Sequence, residues 1–301
     1  MSLEFMKEYE ALVNKRIETN INKIIEQDMS NSEISQGMKY SLMAGGKRIR
    51  PVFCILGAIE AGLEPDDIID FAVGIEFIHT YSLVHDDLPA MDDDNLRRGQ
   101  PTCHIKYGEG LAILIGDALL THGIRLMLAD LKKVSLENQF KAVRILLDSI
   151  GVDGMIGGQG GDLVNEKNKN HDLANKKAIL KYIHENKTSK LLEASLLSGG
   201  ILGGLSIEDQ EKLKSYGKAF GLAFQITDDI LDLTSTNEEL GKPVGSDTKN
   251  EKLTYPNVYG LEESKNMAEK ILNDGIEKIK DFKKINNYLT ELAEYLLLRK
   301  K

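Results

Sequence analysis

The chain has 301 residues and a net charge of −9, from 38 basic and 47 acidic residues. This acidic balance argues against a surface that binds nucleic acid or anionic membranes in general. Apolar residues make up 42% of the chain. The longest apolar runs, such as LAILIG, are far shorter than the roughly 20 residues that cross a membrane. We therefore expect no membrane span and no nucleic-acid partner.

The N-terminal stretch and the cysteines indicate a compartment. MSLEFMKEYE is acidic and mixed, without the basic and apolar regions of a secretion signal. The two cysteines, Cys54 and Cys103, lack the spacing of metal ligands and form no disulfide framework. Reduced thiols of this kind are typical of the cytoplasm, so we expect a cytoplasmic protein.

The periodicity of apolar residues predicts helices along the chain. Apolar positions recur at spacings of three and four, whereas alternation with period two is scarce. Pro65, followed by two aspartates, marks one helix start. The pattern predicts helices over 66–85, 109–131, 137–150, 173–198, 206–234 and 263–281.

Glycine pairs and one long polar segment interrupt these helices. Pairs such as Gly157–Gly158 and Gly199–Gly200 indicate helix ends or close contacts between helices. The longest non-helical segment covers 241–256, and segments of that kind are often functional. No linker divides the chain, so we expect a single all-α domain over 1–301.

One aspartate cluster, DDILD, lies inside the otherwise apolar pattern FGLAFQITDDILDLT. Residues four apart share a helix face, so Asp228 and Asp232 should point the same way, with Asp229 near them. Ionised carboxylates among apolar residues are costly when they are buried alone. Mg²⁺ prefers oxygen ligands and often bridges to substrate phosphates, so it suits such a pair.

The other aspartate cluster, DDLPAMD, comes earlier in the chain. Asp86 and Asp87 are followed after four residues by Asp92. In a continuous helix Asp92 would lie about 600° from Asp86, on the wrong face. Pro89 disfavours a continuous helix because it removes a backbone donor, so we expect a bulge at 88–91 that returns Asp92 to the side of Asp86. The two distant clusters together predict one facing carboxylate site.

Basic residues complete the charge pattern. Arginine forks bind phosphate oxygens in pairs of hydrogen bonds, while lysine acts as a point charge. Together with the carboxylate clusters, the cations predict one pocket with two anion sites, one bridged through metal and one held directly. The candidates are Lys47, Arg48 and Arg50 in GGKRIRP, then Arg97 and Arg98, Lys187 beside Thr188, Lys242, and Lys252.

These pieces resemble the motifs of trans-isoprenyl diphosphate synthases, most of all those of the bacterial farnesyl diphosphate synthases. In order, the matching pieces are GGKRIRP, EFIHTYSLVHDDLPAMDDDNLRRGQPTCH, GGQGGDL, HENKTSKL, GLAFQITDDILD, LGKPVGSD and KLTYP. They run from residue 45 to 256 and cover most of the chain. The resemblance implies an all-α bundle of about ten or more helices around a deep central cavity, and a homodimer.

The resemblance also implies roles for individual residues. The implied metal ligands are Asp86, Asp87 and Asp92 for two Mg²⁺ ions, and Asp228, Asp229 and Asp232 for a third. The implied contacts of the allylic diphosphate are Arg97, Lys187, Lys242 and Lys252. Those of isopentenyl diphosphate are Gly46, Lys47, Arg50, His79 and Arg98. The residues implied in the catalytic step are Asp86, Lys187, Thr188, Gln225 and Asp228.

The chemistry that the resemblance implies needs these residue types. The allylic carbon–oxygen bond breaks, which leaves a delocalised carbocation and pyrophosphate. Metal ions and cationic side chains stabilise the charge that appears on the leaving group. Isopentenyl diphosphate then attacks head-to-tail, and a proton is lost to the departing pyrophosphate. We expect condensation with dimethylallyl and geranyl diphosphate to give farnesyl diphosphate.

The residues just before Asp86 are expected to set the length of the product. Tyr81 lies about 7.5 Å deeper along a helix, and a bulky aromatic there resembles a stop after fifteen carbons. Around the helix, Tyr81 is offset from Asp86 by about 140° and Ser82 by about 40°. A neighbouring helix must therefore contribute to the floor of the pocket that holds the growing chain. Ordinary core packing is the alternative role of Tyr81. Geranylgeranyl diphosphate, with twenty carbons, is the alternative product.

Three other classes of protein share part of the pattern. A di-iron carboxylate bundle uses two Glu-x-x-His pairs, but Glu76 and His79 form the only such pair in the sequence. A terpene cyclase normally mixes Asn or Asp, Ser or Thr, and Glu in its second motif, unlike DDILD. A non-catalytic subunit of a prenyl synthase usually lacks an aspartate motif, and this chain has both.

Overall fold

The computed structural model describes residues 3–28, 32–166, 172–234 and 253–299. The described residues are predominantly helical, so the all-α prediction is confirmed. In chain order the helices are α1 (Glu4–Gln27), α2 (Glu33–Met43), α3 (Ile49–Glu60), α4 (Pro65–Asp86), α5 (Cys103–Tyr107), α6 (Glu109–Met127), α7 (Leu136–Ile150), α8 (Met155–Glu166), α9 (Leu173–His184), α10 (Lys190–Leu202), α11 (Ile207–Thr234), α12 (Tyr255–Tyr259), α13 (Leu261–Ile279) and α14 (Asn286–Leu298).

Two short elements complete the description. A small antiparallel hairpin pairs β1 (Leu96–Arg97) with β2 (Gln100–Pro101). A π-helical turn, Glu185–Ser189, joins α9 to α10. Turns of this kind are rare and often occur at functional sites. The sequence predicts one helix over 173–198, so this interruption is a difference between prediction and structure.

The π-helical turn fits between two glycines on neighbouring helices. A Cβ on Gly158 of α8 would lie 2.2 Å from the backbone nitrogen of Lys187. A Cβ on Gly221 of α11 would lie 2.5 Å from the hydroxyl of Ser189. Both neighbours therefore approach the turn more closely than any larger residue would allow. This contact fixes the position of the Lys187 backbone.

The crossing of α3 and α10 also depends on glycine, at two positions. A Cβ on Gly57 of α3 would lie 2.2 Å from the carbonyl oxygen of Leu196 in α10. A Cβ on Gly199 would lie 1.9 Å from the carbonyl oxygen of Cys54 in α3. The backbones of these two helices therefore touch, which is the close contact that the glycine pairs predict.

The buried arginine of GGKRIRP ties four segments of the chain together. Arg48 has a left-handed backbone conformation, with φ 49°, and its side chain is only 2% exposed. Its guanidinium donates to Glu76 at 2.7 Å, to Asn14 at 2.9 Å and to the carbonyl oxygen of Leu42 at 2.6 Å. These bonds join α1, α2 and α4 to the start of α3. Arg48 is therefore a structural residue of the fold.

Among the described residues, one helix is long and apolar enough to cross a membrane, judged by length and composition alone. That helix is α6. It packs tightly against α4, as shown by Gly74, where a Cβ would lie 2.7 Å from the carbonyl oxygen of Gly123. Core helices of water-soluble proteins pass the same test, so it is weak evidence for a span. The helix ends at Met127, earlier than predicted, where Gln139 donates to the carbonyl oxygens of Met127 and Ala129.

Replacing Gly199 with alanine tests the α3–α10 contact. The added methyl group meets backbone, which cannot rotate away, so we expect the free energy of unfolding to fall by about 1–3 kcal/mol. Gly110→Ala on α6 is the control, because its Cβ would meet nothing within 4 Å. Urea unfolding measures both variants. A Gly199→Ala protein as stable as the Gly110→Ala protein would contradict the close crossing.

Candidate active site

The described residues enclose a cavity of about 640 Å³ bordered by α4, α8, the π-helical turn and α11. Asp86, the last residue of α4, and Asp228, in α11, both line this cavity, which we call the main cavity. One carboxylate from each aspartate cluster therefore faces the same space. That is the arrangement which the two distant clusters predict.

The chain after α4 turns back on itself. α4 ends at Asp86, and the backbone N–H of Met91 donates to the carbonyl oxygen of Leu88 at 2.8 Å. The N–H of Asp92 then donates to the carbonyl oxygen of Asp86 at 2.9 Å. This detour passes through Pro89 and returns the backbone of Asp92 to the end of α4, as expected from the bulge. Asp92 itself is not among the residues that line the main cavity.

Lys187 provides positive charge beside the first cluster. Its ammonium group donates to Asp162 at 2.8 Å and lines the main cavity. Burial lowers the pKa of Lys187, but the charges of Asp86, Asp162 and Asp92 outweigh this effect and raise the pKa overall. Lys187 is therefore a permanent cation at neutral pH. On the same side, the amide of Gln159 donates to Asp86.

Asp87 has a different environment from Asp86. It is only 3% exposed and does not line the main cavity. Arg97 binds it through Nε at 2.9 Å and Nη2 at 2.5 Å. Burial raises the pKa of Asp87, although the bond to Arg97 opposes this shift. Arg97 lines the cavity. Asp87 therefore acts on the cavity indirectly, by holding the guanidinium of Arg97 in place.

The second cluster is likewise divided between the cavity and the protein interior. Asp228 is 42% exposed as a side chain, while Asp229 and Asp232 are each 5% exposed and do not line the main cavity. Asp229 accepts from Gln225 at 3.1 Å and from the backbone N–H of Tyr255 at 2.9 Å. Of the two residues predicted to share a helix face, Asp228 therefore borders the main cavity while Asp232 is buried.

A short chain of hydrogen bonds connects the π-helical turn to the second cluster. The hydroxyl of Thr188 donates to Gln225 at 3.0 Å, and the amide of Gln225 donates onward to Asp229. Lys187, Thr188 and Gln225 all line the main cavity. The turn therefore presents an ammonium group and a hydroxyl group to the same space as Asp86 and Asp228.

A second cavity, of about 450 Å³, adjoins the first and is rich in cations. It is lined by all five residues expected to contact isopentenyl diphosphate: Gly46, Lys47, Arg50, His79 and Arg98. Arg50, His79 and Arg98 also line the main cavity. The structure therefore brings the two predicted anion sites together as neighbouring spaces with a shared wall. We call the second space the cationic cavity.

A neutral histidine orients one of the arginines in that wall. Arg50 lies 3.2 Å from Nε2 of His79, so the guanidinium donates to an unprotonated ring. Burial, with the charges of Arg50 and Arg98, holds the pKa of His79 well below 6.5. Burial lowers the pKa of Arg50 to about 10, so Arg50 stays charged at neutral pH. The Nε of Arg50 is buried without a partner among the described residues, which suits an anionic ligand.

The remaining predicted residues have the following places. Tyr81 and Ser82 both line the main cavity, with Tyr81 6% exposed. The hydroxyl of Ser82 donates to the carbonyl oxygen of His79 at 2.8 Å. Lys242 and Lys252 lie outside the described residues.

Four residues belong to the site although no role is predicted for them from the sequence. Gln159 and Asp162 lie in the matching piece GGQGGDL, which is the signal for them in the sequence. Phe224 lines both cavities and lies one helix turn before Asp228, in the same helix as the second cluster. Arg299 has no signal in the sequence: its guanidinium pairs with Asp228, donates to Thr227 at 3.2 Å and stacks 4.4 Å from the ring centroid of Phe224.

The donor set fits magnesium held together with a phosphate ligand. Among the described residues, no three His, Cys, Asp or Glu side chains are close enough to hold a metal ion by themselves. Mg²⁺ commonly takes one or two carboxylates, several waters and substrate phosphate oxygens. Asp86 and Asp228 supply such carboxylates, and cationic partners already lie beside both. The residues therefore fit ions that arrive with a diphosphate.

Comparisons with known proteins identify the family. The family model for polyprenyl synthetase matches residues 31–292. The chain belongs to the polyprenyl synthetase family. The geranylgeranyl diphosphate synthase of Cyanophora paradoxa is 40% identical, over 95% of this chain and 99% of its own length.

Solved structures agree with this membership. A putative farnesyl-diphosphate synthase from Marinomonas sp. MED121 superposes with a TM-score of 0.79 at 35% identity, over 99% of both chains. A geranyltransferase from Helicobacter pylori, complexed with magnesium and isoprenyl diphosphate, gives a TM-score of 0.77 at 31% identity, over 96% of this chain and 95% of that one. This chain is therefore a prenyltransferase with the all-α fold of its relatives.

The neutral state of His79 makes the fold sensitive to acid. Below pH 6.5 the unfolded chain binds a proton at this histidine, whereas the folded chain does not. The unfolded state then holds more protons, so stability falls with falling pH by up to about 1.4 kcal/mol per pH unit for each such histidine. We expect His79→Gln to show a shallower decline in urea unfolding across this range. Parallel declines for the two proteins would contradict a neutral, buried His79.

Proposed function

We propose that this prenyltransferase condenses isopentenyl diphosphate head-to-tail with allylic diphosphates. The observation that carries the proposal is the main cavity, which is lined by Asp86 and Asp228 and shares a wall with the cationic cavity. The allylic diphosphate would lie in the main cavity and isopentenyl diphosphate in the cationic one. Binding of the two diphosphates in adjoining spaces would bring the two reacting carbons together.

Asp86, Asp92 and Asp228 would hold magnesium, with two ions expected at the first cluster and one at the second. When bound, the ions stabilise the negative charge that develops on the departing diphosphate. Lys187 adds a fixed positive charge to the same wall, and Arg97 adds another. Such preorganised charge lowers the barrier to breaking the allylic carbon–oxygen bond because it needs no rearrangement during the reaction.

The cationic cavity would position isopentenyl diphosphate. Arg50 presents a buried Nε without a partner among the described residues, and His79 fixes the orientation of its guanidinium. Arg98 and Lys47 supply further positive charge at the same cavity. Gly46 allows this arrangement because a Cβ there would lie 2.7 Å from the guanidinium of Arg98.

Apolar residues would protect the allylic carbocation from water. The residues with large apolar groups that line the main cavity are Tyr81, Leu83, Met155, Ile156, Leu163 and Phe224. Water in this space would quench the cation, so exclusion of water is part of the reaction. Thr188 and Gln225, which are bonded to each other, would place their oxygen atoms near the developing positive charge. Proton loss to the departing pyrophosphate needs no covalent intermediate on the enzyme.

The length of the product has two candidates. The relative from Cyanophora paradoxa and several from Arabidopsis thaliana are named geranylgeranyl synthases, and these names favour the twenty-carbon product over the farnesyl product. One observation favours farnesyl diphosphate, with fifteen carbons. The ring of Tyr81 lies in the cavity wall one to two helix turns before Asp86, where it would stop a growing chain.

A homodimer and a cytoplasmic location complete the proposal. Helices α6 and α7 expose apolar side chains, among them Ile113, Leu114, Phe140 and Leu147. The homodimer is what the family resemblance implies, and we propose these two helices as the surface that a second copy of the chain covers. The cytoplasmic location rests on the sequence.

Conservative changes at the two clusters test the metal-linked site. We expect Asp86→Asn and Asp228→Asn each to lower kcat/KM by roughly 10²–10³-fold, because each removes charge that would hold magnesium against the diphosphate. The assay contains Mg²⁺, isopentenyl diphosphate and each allylic starter, and mass spectrometry identifies the products. Asp274→Asn, an exposed residue on α13, is the matched control. Full activity in either cluster variant, or no elongation by the wild-type protein with any starter, would refute the proposal.

Removal of the Tyr81 ring tests its role as a stop. We expect Tyr81→Ala to shift the product distribution toward chains at least one isoprene unit longer, because the cavity extends where the ring stood. Mass spectrometry of the extracted products measures this shift. Tyr107→Ala on α5, outside the main cavity, is the control. If Tyr81→Ala leaves the chain length unchanged, Tyr81 is an ordinary core residue.

A further inference from the structure

Two aromatic rings one helix turn apart form the wall of the main cavity beside Asp86. Tyr81 and His85 both line the cavity. Their ring centroids are 5.7 Å apart and the ring planes meet at 83°, an edge-to-face contact. Since edge-to-face rings support each other, the position of either ring depends on the other.

Helix α6 supports this pair from behind. Nε2 of His85 lies 3.0 Å from the carbonyl oxygen of Ile113, so the protonated ring nitrogen donates to the backbone of α6. A Cβ on Gly116 would lie 2.0 Å from Nε2 of His85 and 2.4 Å from its Cδ2. The imidazole ring therefore occupies the space that a side chain at position 116 would fill.

The glycine at position 116 has no conformational explanation. Gly116 lies inside α6 and is not among the glycines with positive φ in the described part of the chain. Glycine in a helix interior is less favourable than alanine, because it loses more conformational freedom on folding. The contact with His85 is the physical reason for a glycine here.

We propose that His85 is a specificity-determining residue for product length and that Gly116 is its positioning residue. The inference rests on the proposed elongation of allylic diphosphates. The absence of a side chain at Gly116 lets the His85 ring lie against α6, where the bond to the carbonyl oxygen of Ile113 holds it at the edge of the cavity. The ring in turn packs against the ring of Tyr81, and together they set the width of the space available to the growing chain.

This arrangement predicts opposite effects for two substitutions. Gly116→Ala adds a methyl group where the ring now lies, so the ring must leave α6 and move toward the cavity. His85→Ala removes the ring and leaves Tyr81 without its neighbour. The first change should shorten the product and the second should lengthen it. A loss of stability alone would alter the rate without altering the ratio of product lengths.

The experiment measures that ratio by mass spectrometry for the purified full chain with Mg²⁺, isopentenyl diphosphate and each allylic starter. We expect Gly116→Ala to lower the ratio of longer to shorter products roughly tenfold. A change of one methylene group in an apolar pocket typically alters substrate discrimination by that factor. His85→Ala should raise it. The double variant should resemble His85→Ala, because the methyl group then has no ring to displace. Gly110→Ala, in the same helix but in open space, should match the wild-type protein.

The outcomes separate this inference from the proposed function. Wild-type elongation with an unchanged distribution in Gly116→Ala would overturn the inference alone. The inference would also be overturned if the change in product ratio caused by Gly116→Ala were equally large in the double variant, because Gly116 would then act without His85. If Gly116→Ala fails to fold, an unchanged distribution in His85→Ala overturns the inference. Absence of elongation by the wild-type protein would overturn both.

Discussion

The need to balance negative charge in an apolar cavity determines the arrangement of this site. Asp86 and Asp228 come from distant parts of the chain and face one space, where isolated carboxylates would be costly. The fold places positive groups beside both of them. Lys187 interacts with Asp86, and Arg299 pairs with Asp228. These contacts offset part of the cost of placing two carboxylates on one cavity.

The site lies where regular helix geometry is interrupted. α4 stops at Asp86, and the turn through Pro89 brings Asp92 back to that point. The π-helical turn, held between glycines of α8 and α11, presents Lys187 and Thr188 to the main cavity. Departures from regular geometry persist only where the surroundings stabilise them, and here the neighbouring helices do so. Each interruption positions a group that the proposed chemistry uses.

The sequence predicts much of the fold and part of the site. The apolar periodicity locates the long helices, because burial of a stripe dominates their stability. It does not locate the π-helical turn, which depends on Gly158 and Gly221 of other helices. Residue types predict that the clusters meet, but not that Asp87 and Asp229 are held by protein donors, Arg97 and the backbone of Tyr255. Arg299 reaches the site through tertiary packing, which no local pattern shows.

The most direct test of the central claim is the crystal structure of the complex with Mn²⁺ and an unreactive allylic thiodiphosphate, with the ions located by anomalous scattering. The account predicts anomalous peaks at both Asp86 and Asp228, on one diphosphate in the main cavity. Arg299 would have left Asp228 in that complex. Peaks at neither carboxylate, or a diphosphate bound away from the space between them, would contradict it.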